Sequence, residues 1–152
     1  MVSVLARIET SIEIAAPVEK VFAFLSNPWN QERILPNTKI EDVSNQPIGV
    51  GTKYRISAVI SGIKARLHWH EIVEFEQNRR FVGHEVKGGP CKKEEWTYVF
   101  DPTDKGTKVT LNILIDLPYS VLGKLVERFY KNGFKGWVTD GLQKAKEILE
   151  AT

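Results

Sequence analysis

The sequence predicts one α+β domain: a curved, largely antiparallel sheet of about seven strands wrapped on a long C-terminal helix, with two short helices after the first strand. Three observations predict it. Hydrophobicity alternates with a period of two through most of residues 38–116. It repeats with helical spacing over 119–151. Between the first strand and the others lie two short segments punctuated by Pro17, Pro28 and Pro36.

Each element has a local reason. In residues 5–14, Ile8, Ile12 and Ile14 share one parity and Arg7, Glu9 and Glu13 the other, which predicts a half-buried strand. Pro17 suits the first turn of a helix, and Val18, Val21, Phe22 and Leu25 then follow i, i+3, i+4, i+7. Asn27–Pro28 stops that helix and caps a second one reaching Leu35, closed by Pro36. Strands come next at 38–43, 52–60, 63–75, 80–86, 93–100 and 108–116, separated by "QPIGVG", "SG", "EQNR", "KGGP" and "DPTDKG". Ser61–Gly62 and the Gly106 turn predict hairpins. Pro118 ends the last strand, and no proline interrupts the helix beyond it. Gly123, Gly133, Gly136 and Gly141 are costly there and signal either close packing, a surface for something to lie against, or a kink.

Composition narrows the function classes. With 152 residues the chain has the size of one domain, large enough for a core or a core with a cavity. Lys plus Arg is 21 against 19 for Asp plus Glu, a net charge of +2, so no nucleic acid partner is expected. The lone Cys91, in a loop-like "GGPCKK", excludes an intramolecular disulfide and reads as an ordinary exposed thiol. No apolar run approaches a membrane span, and the N-terminus lacks a secretory pattern, so a soluble cytoplasmic protein is expected. Dinucleotide, P-loop and G-x-S-x-G motifs are absent from the sequence.

The element order and five stretches resemble the SRPBCC superfamily, the START-like helix-grip fold that includes birch-pollen-allergen-type and polyketide cyclase/dehydrase-like proteins. They are "SIEIAAPVEKVFAFLSNPWN" (11–30), "GVGTKYRI" (49–56), "EIVEFEQNRRFV" (71–82), "WTYVFDPTDKGTKVTL" (96–111) and the C-terminal helix. One departure is "EFEQNRR", where the resemblance leads one to expect proline at or near Gln77; it touches a turn and no site. The resemblance implies a cavity between sheet and helix that takes a lipid, isoprenoid or polyketide-like molecule; only some members catalyse.

Within that frame the candidate ligand-binding residues are Tyr54, Ile56, Trp69, Glu71, Glu94, Trp96, Tyr98, Phe129, Tyr130, Phe134 and Trp137. The aromatics recur on the faces expected to meet, where they form core or cavity wall. In "LHWHE" (67–71), strict alternation assigns Leu67, Trp69 and Glu71, with Val73 and Phe75, to the inner face. It assigns His68 and His70 to the solvent face with Lys64, Arg66 and Glu74. His84 could approach them across a hairpin, but cations beside a wet histidine pair disfavour a metal, so no metal or cofactor is expected. Glu71 and Glu94 place carboxylates in apolar rows. Either solvent reaches them at strand ends or the cavity mouth, or they face inward and anchor a ligand or move protons. Trp29 reads as a packing anchor or part of a lid.

Three functions stand as expectations. The first is binding or transport of a small hydrophobic ligand, with the short helices as a gate. The second is a cyclase/dehydratase-like enzyme using Glu71, Glu94 or a tyrosine. The third is a protein-interaction module without a ligand. The lysines of the last helix read as a solvated face, with transient membrane contact as the alternative.

Overall fold

The structure is a computed structural model. It describes residues 3–44, 47–60, 62–87, 93–118 and 123–151, without the side chains of 3–5, 63, 65–67, 87, 93, 117–118 and 123–131. Cys91 and the Ser61 end of the expected hairpin fall outside the described residues.

The elements are β1 (Ser3–Ile14), α1 (Val18–Leu25), a 3-10 turn (Pro28–Asn30), α2 (Gln31–Ile34), β2 (Thr38–Glu41), β3 (Lys53–Ile60), β4 (Ile63–Glu76), β5 (Arg80–Lys87), β6 (Lys93–Thr103), β7 (Gly106–Pro118) and α3 (Gly123–Glu150). The seven strands form one antiparallel sheet in the order β1-β7-β6-β5-β4-β3-β2. Strands β2 to β7 are thus a meander, and β1 pairs along its whole length with β7. The sheet curls around α3, as the alternation and the long helix predict. Pro17 precedes α1 as its cap instead of occupying its first turn. Asn27 does cap the 3-10 turn, accepting from the Trp29 amide, while Trp29 itself is 44% exposed.

The inner face carries the core. Phe22 of α1 is fully buried and meets the rings of Phe75, Phe81 and Phe100 edge-on, with centroids 5.2, 5.9 and 5.0 Å away. From α3, Phe134, Val138, Leu142, Ala145 and Leu149 face the sheet at helical spacing. Polar contacts fix the helix end: Lys146 Nζ donates to the Glu13 carbonyl (2.9 Å), and Glu150 accepts from the Ala15 amide (2.8 Å). Lys146 also pairs with Glu150 and Lys144 with Glu147, so these lysines form the solvated face the sequence suggests.

Two glycines are held where a side chain would collide. A Cβ on Gly141 would lie 2.6 Å from Leu35 Cδ2, so this position lets α3 approach the end of α2. Gly106 has φ +148°, and a Cβ there would collide with the Ile14 carbonyl where the β6–β7 turn crosses the end of β1. Gly136, by contrast, is exposed with open space around it.

Phe22→Ala is expected to lower the unfolding free energy by about 3–5 kcal/mol, because three aromatic edges lose their partner. Gly136→Ala is expected to raise it by about 0.5–1 kcal/mol. Urea unfolding with an unchanged m-value checks both.

Candidate functional site

The site rests on two irregularities of β4. Against β3, Ile56 pairs with His68 but Ala58 pairs with Ala65, so β4 carries one extra residue between them. Against β5, Ile72 pairs with Gly83 but Glu74 with Val82, a second extra residue at Val73. Each bulge inverts the parity of the strand. Lys64 at one end is exposed and Phe75 at the other packs inward, but between the bulges His68, His70 and Ile72 are the residues that face the core.

This corrects the reading of "LHWHE". His68 and His70, expected in solvent, are 6% and 3% exposed. Trp69 and Glu71, expected inside, lie half-buried on the outer face. There the Arg55 guanidinium sits 5.6 Å from the Trp69 ring, and Glu71 stands in register with Lys53 and His84. Arg55 also pairs with Asp42 at 2.5 Å, so this outer face is an ordinary polar surface. The side chains of Arg66 and Leu67 lie outside the described residues, as do those of Phe129 and Tyr130.

The other candidates meet on the inner side. Tyr54 and Ile56 of β3, Glu94, Trp96 and Tyr98 of β6, and Phe134 and Trp137 of α3 are all buried there. Trp96 packs against Phe134 and Trp137, with ring centroids at 5.7 and 5.9 Å, and Tyr98 stacks on Phe81 at 4.6 Å. Into this apolar wall a polar row is set. His68 Nε2 lies 3.1 Å from His70 Nε2, and His70 Nε2 lies 3.9 Å from Glu94 Oε1. Glu94 accepts from the Trp96 indole N–H. Tyr54, with its ring 5.6 Å from that of His70, accepts from Gln31 Nε2 at 3.1 Å. Gly83, between Ile72 and Trp96 in the sheet, has no side chain to fill the gap. The space left beside Gln31, Tyr54, His70, Trp96 and Tyr98 is about 10 Å³, room for about one water molecule.

Burial sets the protonation of this row. It pushes the Glu94 carboxyl up to about 7, against the Trp96 hydrogen bond and with help from the charge of Glu85. Burial also lowers His70 to about 3, with His68 and then His84 adding to the effect. The Tyr54 hydroxyl rises to about 12, and Tyr98 is pushed up as well, both mainly by burial. Near pH 6 Glu94, His70, Tyr54 and Tyr98 are therefore mostly uncharged, able to donate or accept hydrogen bonds toward a polar group placed among these rings.

Sequence reasoning missed His68, His70, Gln31 and Glu85 as inner residues. One signal was available: Ile72 shares parity with both histidines, so the apolar pattern of 67–75 is internally inconsistent without a bulge. Gln31 gives no such signal, because α2 is too short for a helical stripe to be read.

Glu94 ionises less readily folded than unfolded. Its stabilising share is complete below the unfolded value near 4.5 and is lost as pH rises through about 7. Glu94→Gln keeps the shape and removes the charge. The unfolding free energy of the variant relative to the parent is expected to move in the variant's favour by roughly 1–3 kcal/mol between pH 4 and pH 8, measured by urea unfolding. A pH-independent difference would mean that Glu94 is not held neutral.

The sequence pattern of the family described as "Polyketide cyclase / dehydrase and lipid transport" matches residues 6–150. No curated protein matches the sequence. Among solved structures, TTHA0849 from Thermus thermophilus is similar at 25% identity, with 97% of each chain covered and a TM-score of 0.79. The Zhui aromatase/cyclase from Streptomyces sp. R1128 is similar at 13% identity, covering 93% of this chain and 94% of its own, with a TM-score of 0.74. A START superfamily protein from Mycobacterium smegmatis is similar at 17% identity, covering 95% and 97%, with a TM-score of 0.73. The last two likenesses are of fold. A family match over nearly the whole chain, on a seven-stranded sheet gripping one long helix, makes this protein a member of the polyketide cyclase/dehydrase and lipid transport family.

Proposed function

We propose that this protein binds a small, mostly apolar molecule carrying one polar end, of lipid, isoprenoid or polyketide type, between the sheet and α3. The observation that carries this reading is the polar row of Gln31, Tyr54, His70 and Glu94 set into an aromatic wall. A core built only for stability gains little from gathering such groups, since each costs free energy unless its hydrogen bonds are kept. The polar end of the ligand takes the place of the water-sized space beside Tyr54 and His70. Along β6 the row runs from Trp96, which packs on Phe134, to Glu94, and so leads toward the N-terminal half of α3. The apolar body lies in that direction, where Phe129 and Tyr130 occur in the sequence, and its burial supplies about 25 cal/mol per Å². The family description joins polyketide cyclisation with lipid transport, and both handle molecules of this kind.

Catalysis of a cyclase or dehydratase type is the second reading. It is favoured by four proton-carrying side chains, His68, His70, Glu94 and Tyr54, on one inner face. Glu71 has no part in it, because it lies on the outer face.

Native mass spectrometry of protein purified without organic solvent is expected to reveal a co-purifying molecule with one polar end. Tyr54→Phe is expected to weaken its binding about tenfold, read by calorimetry with the extracted molecule, as the loss of one hydrogen bond implies. Bare polypeptide in the mass spectrum, together with no binding of anilinonaphthalene sulfonate, would end the binding reading. Loss of water from the extracted molecule on incubation with the protein would select the enzyme.

A further inference from the structure

We infer that His68, His70 and Glu94 form a site for one divalent transition-metal ion of the zinc class. The inference goes beyond the proposed ligand binding and stands whether or not an apolar molecule is held. The three ligand atoms, one from each side chain, all lie within 4.8 Å of one another. Two of the separations are 3.1 Å, nitrogen to nitrogen, and 3.9 Å, nitrogen to oxygen. Ligand atoms about 2.0–2.2 Å from a tetrahedral ion stand about 3.3–3.6 Å apart, so an ion draws this set together by small side-chain movements.

The donor set selects the ion. Two imidazoles and one carboxylate suit zinc, cobalt or nickel; calcium and magnesium need more oxygen ligands than the cluster offers. One reason against a metal in the sequence alone, a wet face for the histidines, falls away with the bulges of β4. The histidines are buried on the inner face, and Lys64 is exposed on the other side of the first bulge. Placement is also rigid, since all three ligands stand on strands and the two histidines alternate on one face of β4.

The electrostatics agree. Glu85 stands opposite His70 in the β4–β5 register and its charge acts on Glu94, adding negative potential beside ring nitrogens that are neutral when they ligate. Three protein ligands leave a fourth position, and His70 borders the space that fits one water. A three-ligand ion with one exchangeable position is the arrangement of a working zinc site rather than a closed structural one. The ion would then stand where the polar end of a bound molecule arrives.

The test uses the full chain, stripped with a chelator that is then dialysed away. Cobalt(II) added to it is expected to bind one equivalent and give the visible ligand-field absorption of a four- or five-coordinate ion, and zinc is expected to displace it. His68→Gln and Glu94→Gln are expected to weaken zinc binding at least tenfold by calorimetry, with far-ultraviolet circular dichroism unchanged. His84→Ala, which lies outside the cluster, is expected to leave it unchanged. Absence of a one-equivalent cobalt spectrum in the parent protein overturns the inference, and needs no variant to fold. Zinc binding that survives His68→Gln, or disappears with His84→Ala, overturns it as well. Co-purification of an apolar molecule is a separate readout, so failure here leaves the proposed ligand binding standing.

Discussion

The interior of this protein depends on a matter of phase in a single strand. A β-strand alternates its side chains strictly, and one extra residue exchanges the two faces. In β4 that happens twice, before His68 and after Ile72, so the strand begins and ends in one phase and passes its middle in the other. The curl of the sheet then brings this middle segment of β4 within reach of β6 across β5, where Gly83 offers no side chain to obstruct it. The histidines enter the core only through that inversion. Without it the imidazoles would stand on the outer face with Lys53 and Arg55, and Glu94 would lose its histidine neighbours.

Such an arrangement has a cost, and the structure offsets it locally. An unpaired buried polar group costs on the order of 1–3 kcal/mol, more if charged. Here the histidine rings contact each other, the carboxyl group meets an indole N–H, and the Tyr54 hydroxyl meets the Gln31 amide. Because burial keeps Glu94 and His70 in their neutral forms near pH 6, the row avoids the far larger penalty of isolated ions. The stability that supports this comes from elsewhere: the Phe22 cluster beneath α1 and the α3 stripe running from Phe134 to Leu149. The two ends of the interior thus divide the labour, one apolar and closely packed, the other polar.

The fold was nearly all legible in the sequence. Period-two runs, turn dipeptides and the final helical stripe are local signals, and each strand edge falls within a few residues of where alternation and Gly or Pro place it. The site was legible only in part. Tyr54, Glu94, Trp96 and Tyr98 sit in rows where alternation holds from end to end, so their side could be read. His68 and His70 could not be placed, because a bulge is decided by pairing with neighbouring strands and leaves only a mixed pattern in its own sequence. Glu71 attracted the attention that belonged to the histidines for the same reason. Asn78, with φ +63°, turns the β4–β5 corner next to Gln77, near which the resemblance led one to expect proline.

The order of the strands also bears on how the molecule comes into being. The histidines and Glu94 belong to a meander of neighbouring hairpins, β3 to β6, whose pairings are all local in sequence. Strand β1, first of these elements in the chain, has its partner only in β7, and α3 follows β7. Chain entropy makes local pairings quick and the β1–β7 closure slow. The polar half of the interior can therefore assemble while one edge of the sheet is still open to water, and the final closure is what shuts water out.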